Sequence, residues 1–144
     1  MTTEQTVLIR PFNNLDRKQV VAIWEQSGLT RAWNNPDLDI DRKQKVQPEL
    51  FLVAEMDEQV VATVMSGYEG HRGWMNYLGV LPAYQRRGIA RQLVSAVEAL
   101  LTAQGCPKLN LQVRAGNAQA VAFYRAIGYQ VDDSVSLGKR LIAD

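Results

Sequence analysis

The segment that most constrains the fold is a strand that leads, through a loop with two arginines, into a long amphipathic helix. Residues 74–80 have the pattern of a strand, and Pro82 ends it. Between residues 88 and 104, apolar side chains recur at helical spacing, which predicts a helix with one buried face. These side chains are Ile89, Leu93, Val97, Leu100 and Leu101. A strand followed at once by such a helix indicates a mixed α/β layer fold.

The rest of the chain alternates between strand and helix patterns, which favours the same class. The predicted strands cover residues 7–10, 50–56, 60–67 and 109–114, with a final hairpin of uncertain register within 130–142. The predicted helices run from Asn13 or Asn14 to Gln26, over about 39–46, and over 117–127. A length of 144 residues fits one domain over the whole chain, 1–144.

Composition argues against several classes of function. The formal net charge is +1, so we expect neither a nucleic-acid partner nor an acidic membrane. There is one cysteine, Cys106, and one histidine, His71, so no internal disulfide can form and we expect no metal site. Cys106 is interpreted as a packed, inert thiol. No apolar run approaches the length of a membrane span and the first residues are polar, so we expect a cytoplasmic protein.

The loop Gln85-Arg86-Arg87-Gly88-Ile89-Ala90 has the properties of a diphosphate site. The first amides of a helix lack intrahelical partners and lie at the positive end of its dipole. Gly88 lets the backbone approach a phosphate closely, and Arg86 and Arg87 add the charge that phosphate favours. The simpler alternative is an ordinary helix start with two solvated arginines. A nucleotide-binding module is another alternative, although the sequence lacks Gly-x-x-x-x-Gly-Lys-Ser/Thr.

Two motifs carry a resemblance to a known family. The loop is similar to the Gln/Arg-x-x-Gly-x-Gly/Ala acyl-CoA signature of the GNAT family of N-acetyltransferases. The segment from Asn117 to Tyr129 resembles the Asn-x-x-Ala-x-x-x-Tyr-x-x-x-Gly-Phe/Tyr segment of that family. The resemblance covers nearly the whole chain. It implies a twisted, mostly antiparallel sheet with helices on both faces, acetyl-CoA as co-substrate, and an amine acceptor.

The resemblance also implies roles for individual residues. Backbone amides from Arg87 to Ala90 would hold the pyrophosphate, and backbone groups of Leu78 and Val80 would pair with the pantetheine arm. The Val80 amide would stabilise the oxyanion, Asn117 would hydrogen-bond near the pantetheine, and Tyr124 would protonate the leaving thiolate. Spacing alone leaves open that Tyr124 is a structural aromatic residue.

The general base is not identified by the resemblance. Many family members have a glutamate within a Leu-Glu-Val strand, but this sequence has Leu111-Gln112-Val113, and an amide cannot take the proton. Glu69 and His71, in the turn before residues 74–80, are candidates that would act through an ordered water. An exposed turn histidine and an acceptor that arrives deprotonated are the alternatives.

The connection between the first two helices borders the acceptor pocket if the resemblance holds. It contains Arg31, Trp33, Asn34 and Asn35, of which Trp33 and Asn34 are the predicted acceptor contacts. Trp33 could instead fill the core. The acids Asp37, Asp39 and Asp41 either attract a cationic amine or complement the start of a helix.

These features predict acetyl transfer from acetyl-CoA to an amine by direct attack on the thioester. The acceptor is either a small molecule or a protein N-terminus or lysine, and the chain is a monomer or a homodimer. A non-catalytic acyl-CoA sensor is the alternative from a different class, because Gln112 stands where the glutamate is expected.

Overall fold

The computed structural model describes residues 6–144, which form five β-strands, four α-helices and three short 3-10 helices. The strands are β1 Leu8–Pro11, β2 Phe51–Met56, β3 Gln59–Tyr68, β4 Gly73–Val80 and β5 Leu109–Leu111. The helices are α1 Arg17–Gln26, α2 Pro36–Lys43, α3 Ile89–Ala103 and α4 Ala118–Ala126.

The strands form one sheet in the order β1-β2-β3-β4-β5. Neighbours from β1 to β4 are antiparallel, whereas β5 lies parallel to β4. The parallel pair requires a crossover connection, which α3 supplies. The prediction of a mostly antiparallel sheet is therefore confirmed.

Helices cover both faces of this sheet, as predicted. Alternate residues of β2 point to opposite faces: Leu52 and Ala54 belong to the apolar cluster that contains the buried residues of α3, while Phe51 and Val53 belong to the cluster with Trp24 of α1 and Ile40 of α2. The α3 residues of the first cluster are Ile89, Leu93, Val94, Val97 and Leu101. The helical periodicity of this segment therefore identified most of its buried face, although Leu100 of the predicted set is 39% exposed and Val94, which was not in that set, is buried.

Local capping explains where the first two helices begin. Asn13 forms a capping box with Asp16 at a 3-10 turn over Asn14–Asp16, which continues into α1. Asn35 caps α2 by accepting a hydrogen bond from the Leu38 amide, and Pro36 occupies the first turn, where its missing N–H costs nothing. Helix α2 therefore begins at residue 36, three residues before the predicted start.

The C-terminal segment differs most from the prediction. Strand β5 ends at Leu111 rather than residue 114, and the predicted hairpin within 130–142 is wrong, because residues 130–144 form no strand. The apolar side chains that should have formed its buried face are exposed instead, Val135 by 85% and Leu137 by 92%. Side-chain contacts such as Lys108–Asp132 hold this segment to the domain.

None of the helices within residues 6–144 combines the length and apolar character that crossing a bilayer requires.

Candidate active site

The site is built around the place where β4 and β5 separate. Strand β5 pairs with β4 only at Gly73, Trp74 and Met75. Beyond Met75, β4 continues to Val80, and on this side no strand of the described chain pairs with residues 76–80. The sheet therefore opens along one edge of β4.

Hydrogen-bond directions show which groups face this opening. The Leu81 amide donates to the Val61 carbonyl of β3 at 2.8 Å. Because successive amides of a strand point to opposite sides, the amides of Val80 and Leu78 point away from β3 and into the opening. The Val80 carbonyl accepts from Nε2 of Gln85 at 3.1 Å. The amide is therefore the backbone group of Val80 that remains available to a ligand in the opening.

A β-bulge lies within β4 at the mouth of the opening. The pairing with β3 passes from Met65–Asn76 to Thr63–Gly79, so β4 carries one extra residue there, and Tyr77 has φ +53°. Three contacts hold this strained residue. Its ring stacks on Trp24 at 3.8 Å, its carbonyl accepts from the Thr63 hydroxyl at 2.8 Å, and its own hydroxyl donates to Asp39 at 2.6 Å.

The predicted diphosphate loop adjoins the end of β4. Arg86 and Gly88 have φ +64° and +77°, and no side chain from the described part of the chain caps α3, which begins directly after Gly88. A Cβ added to Gly88 would meet no atom within 4 Å, so the space in front of the helix start is open. Left-handed residues before an uncapped helix turn backbone amides toward a common point, an arrangement that binds anions.

The side chains of this loop are anchored to neighbouring strands. Gln85, predicted to contact the cofactor, directs its amide nitrogen to the Val80 carbonyl instead. The Arg87 guanidinium lies 5.0 Å from the Tyr84 ring centroid and 3.9 Å from Sδ of Met56. Tyr84 is itself held by Gln59, which donates to the tyrosine hydroxyl at 2.7 Å. Contacts with Met56 and, through Tyr84, with Gln59 thus hold the Arg87 side chain of the loop in place.

Tyr124 lies on α4 and lines a cavity of about 940 Å³ between β5, α4 and the C-terminal segment. Its ring packs edge-on against Phe123 and Tyr129, with centroids 5.1 and 5.7 Å apart. Its hydroxyl has no hydrogen-bond partner within residues 6–144. Burial raises the pKa of Tyr124 to about 12, so the hydroxyl keeps its proton at neutral pH. Chemically, this group can donate a proton to a developing anion.

Asn117 and Gln112 line the approach to α4. The Asn117 side-chain oxygen accepts from the Ala120 amide at 3.1 Å and caps α4, which leaves its NH₂ group for a ligand. Gln112, at the position of the expected glutamate, is exposed and donates a short hydrogen bond to the Ser136 hydroxyl. Residue 112 therefore supplies no carboxylate that could accept the proton of the amine.

The predicted bases lie at the other end of β4. Glu69 and His71 belong to the β3–β4 turn, where Glu69 accepts from the Arg72 amide at 3.2 Å and His71 is exposed. At about 3.3 Å per residue, the seven residues from His71 to Leu78 span roughly 20 Å. The structure therefore does not bring these two side chains to the opening, and their role as base stays a prediction.

The predicted acceptor contacts lie on the α1–α2 connection. Trp33 is 52% exposed, so the interpretation that it fills the core is wrong. The guanidinium carbons of Arg114 and Arg140 lie 6.0 and 5.7 Å from its ring centroid. The Asn34 side chain accepts from the Arg31 amide at 2.8 Å and stabilises a turn.

The three acids of α2 have different partners. Asp37 and Asp41 both form ion pairs with Arg17 of α1, at 3.1 and 2.7 Å. Only Asp39 reaches β4, through Tyr77, and its other oxygen lies 3.8 Å from Arg42. The sequence pointed to Asp39 only as one of three alternating acids, and nothing in the sequence predicted that Tyr77 occupies a bulge.

Among residues 6–144, no group of three or more His, Cys, Asp or Glu side chains could hold a metal ion.

Comparison with known proteins agrees with this arrangement. Residues 15–129 match the family model described as the Acetyltransferase (GNAT) family. The sequence is 48% identical over 136 residues to an acetyltransferase of Yersinia pestis (strain Pestoides F), covering 94% of this chain and 96% of the relative. It is 50% identical over 137 residues to an acetyltransferase of Sodalis glossinidius (strain morsitans), with the same coverage of 94% and 96%.

Solved structures share the fold at lower identity. The aminoglycoside N-acetyltransferase AAC(6')-Iy in complex with CoA superposes with a TM-score of 0.76 at 18% identity, covering 99% of both chains. The ribosomal-protein-S18-alanine N-acetyltransferase from Escherichia coli gives 0.72 at 22% identity, covering 85% of this chain and 77% of that chain. The family match and the relatives at about half identity together establish that the chain belongs to the GNAT family of acetyltransferases.

Proposed function

We propose that this chain transfers an acetyl group from acetyl-CoA to an amine. The observation that carries the proposal is the unpaired edge of β4 at residues 76–80, which leads directly to the open, uncapped start of α3. An extended pantetheine arm would lie along that edge and bond to the backbone of Leu78 and Val80, as an added strand does. The pyrophosphate would then meet the amides from Arg87 to Ala90.

The acyl transfer itself needs few protein groups. The neutral amine attacks the thioester carbonyl, forming the C–N bond, and the carbonyl oxygen becomes an oxyanion that the Val80 amide stabilises. Collapse of this intermediate breaks the C–S bond. The coenzyme A thiolate takes the proton of Tyr124, and the nitrogen loses its own proton to a base or to water. Tyr124 is reprotonated from water in the next cycle.

Most of the acceleration would come from holding the two reactants together. Alignment of the amine with the thioester supplies up to about 7–11 kcal/mol in favourable cases. The bulge at Tyr77 supports this role, since three contacts fix the backbone just before Leu78 and Val80. A rigid edge keeps the thioester carbonyl at one distance from the amide that stabilises it.

Non-catalytic sensing of acyl-CoA is the second candidate. Gln112 favours it, because this residue is hydrogen-bonded to Ser136 and cannot act as a base. Such a sensor would bind the coenzyme with the same loop and edge, but it would release no thiol with any amine.

Two measurements test the proposal. Acetyl-CoA is expected to raise the melting temperature by mass action on the folded state, and ATP at the same concentration much less, because ATP has no arm to pair with β4. Release of free thiol is then followed with a panel of amines and peptides. Equal stabilisation by both ligands contradicts the coenzyme assignment, and tight binding without any thiol release favours the sensor.

A further inference from the structure

Three separate segments converge on the exposed ring of Trp33. Trp33 lies on the α1–α2 connection, Arg114 follows β5, and Arg140 belongs to the C-terminal segment. We call these three residues the Trp33 cluster. The ring is 52% exposed and its two arginine neighbours lie within 6.0 Å, so an aromatic surface and two cations face solvent together.

The charges of this cluster are not balanced. Arg140 forms an ion pair with Asp144 at 2.8 Å. Arg114 is exposed, and within residues 6–144 its guanidinium has neither an ion pair nor a hydrogen bond but lies beside the Trp33 ring. An exposed cation–π contact is weak, so the guanidinium remains able to form a stronger, charge-assisted bond with an anion.

The cluster lies next to the start of α4. Arg114 and Asn117 line one opening of about 530 Å³ at the start of α4. Asp144, the partner of Arg140, lies near enough to Tyr77 and Arg42 to act on them electrostatically. Through Asp144, the cluster therefore lies on the same side of the domain as Tyr77, whose bulge borders the edge of β4 used in the proposed function.

We propose that the Trp33 cluster binds a carboxylate on the acceptor, so that the substrate is an amine that also carries a carboxylate. This inference rests on the proposed acetyl transfer. A guanidinium binds a planar carboxylate through two parallel hydrogen bonds, and Trp33 offers a flat apolar surface for the carbon skeleton. Because Asp144 already neutralises Arg140, the single unpaired cation of Arg114 matches one negative charge rather than the two of a phosphate.

The same charges disfavour polycationic amines. A second ammonium group on the acceptor would approach the unpaired guanidinium of Arg114, and like charges repel each other. Asp39 offsets this repulsion only in part, since its carboxylate already lies 3.8 Å from Arg42 and accepts from the Tyr77 hydroxyl. Amines that carry several positive charges are therefore expected to be poor acceptors here.

Two matched acceptor pairs that differ only in the carboxylate test the inference. Tyramine is compared with tyrosine and histamine with histidine, each by thiol release. Ethanolamine and phosphoethanolamine, which differ in a phosphate, form the comparison for the second anion. The N-acetyl products of the same pairs are titrated calorimetrically into the protein saturated with coenzyme A. We expect the carboxylate member to be favoured by about 10-fold or more in kcat/KM and in product affinity. The gain in kcat/KM of phosphoethanolamine over ethanolamine is expected to be smaller than this.

The variant Arg114→Gln is expected to remove the carboxylate preference, lowering kcat/KM for the members with a carboxylate far more than for those without one. Lys18→Gln on α1 removes the same charge from an exposed position and is expected to keep the preference. A preference below about threefold in both measurements, or one that survives Arg114→Gln, overturns the inference. If no amine releases thiol, acetyl transfer is wrong, yet the titrations still decide whether the cluster binds a carboxylate.

Discussion

The hydroxyl of Tyr77 donates a 2.6 Å hydrogen bond to Asp39 and so joins the bulge of β4 to helix α2. Burial and this bond to a carboxylate together raise the pKa of Tyr77 well above its ordinary value, so the hydroxyl remains a donor. Tyr77 stacks at the same time on Trp24, whose indole N–H donates to the Thr63 hydroxyl at 3.0 Å. One residue thus connects α1, α2 and β3 at the edge that a coenzyme would use.

Removing that hydroxyl tests how strongly the connection is stabilised. Tyr77→Phe keeps the stacked ring but leaves Asp39 without its donor, and we expect the free energy of unfolding to fall by about 1–3 kcal/mol. Asp39→Asn keeps an acceptor for Tyr77 and should cost less. Urea unfolding of both variants measures this, and a Tyr77→Phe protein as stable as the wild type would contradict the role given to the bond.

Tyr124→Phe tests the proton donor. The substitution preserves the edge-on packing with Phe123 and Tyr129 but removes the proton that the thiolate needs. We expect kcat to fall by about 10- to 1000-fold, while the affinity for acetyl-CoA changes little, because the hydroxyl acts only as charge develops. Single-turnover thiol release reports on chemistry directly, and an unchanged rate in that assay would make Tyr124 structural.

Gly88→Glu tests the pyrophosphate loop. The side chain would enter the open space before α3 with a negative charge, at a residue with φ +77° that disfavours any side chain. We expect the melting-temperature increase caused by acetyl-CoA to disappear. Gly105→Glu is the matched control, since Gly105, after the end of α3, has φ +83° and likewise no atom within 4 Å of an added Cβ. Full stabilisation of a folded Gly88→Glu protein would mean that the phosphates bind elsewhere.

The base can be tested through the pH dependence of the rate. If Glu69 or His71 accepts the amine proton through water, Glu69→Gln or His71→Ala flattens the acid limb of the kcat/KM profile. Because the β3–β4 turn lies roughly 20 Å along the strand from Leu78, we expect both variants to keep that limb. The limb then reports the ionisation of the acceptor amine, and its midpoint should move when acceptors of different basicity are compared.

Asp16 predicts how stability depends on pH. Burial raises the pKa of Asp16, but hydrogen bonds from Arg10 and the Asn13 amide outweigh burial, so its pKa lies below the ordinary value. The carboxylate therefore stabilises the fold above the unfolded pKa of about 3.9, and this contribution is lost as pH falls through the folded pKa. Urea midpoints of wild type and Asp16→Asn should differ at pH 7 and converge as the pH falls below about 4.

Sequence patterns predicted the parts of the fold that local rules control. The periodicity of residues 88–104 and the hairpin of β2 and β3 follow from which side chains must be buried, and the structure confirms both. The start of α2 was placed three residues late, although Asn35 and Pro36 form a recognisable start signal. The hairpin expected within 130–142 was wrong, because alternating residues form a strand only where another strand can pair with them.

The candidate site was predictable where backbone conformation carries the chemistry. Gly88 marked the loop because glycine readily adopts a positive φ. The bulge at Tyr77 left no trace in the sequence, since tyrosine is an ordinary strand residue and its partners Asp39 and Trp24 are distant along the chain. Arg114 and Arg140 were likewise unrelated in sequence until the fold brought both to Trp33.

The short pairing of β5 gives β4 two kinds of backbone amide along a single strand. Its first three residues lie between two strands, whereas Leu78 and Val80 direct their amides away from β3, into the opening that no strand of the described chain fills. In hydrogen–deuterium exchange, these two amides should therefore lose their label long before the Leu81 amide beside them, which is bonded to Val61. Without a ligand, this edge of the sheet therefore lacks one neighbouring strand. A molecule that slows the exchange of the Leu78 and Val80 amides would be identified as one that pairs with β4 there.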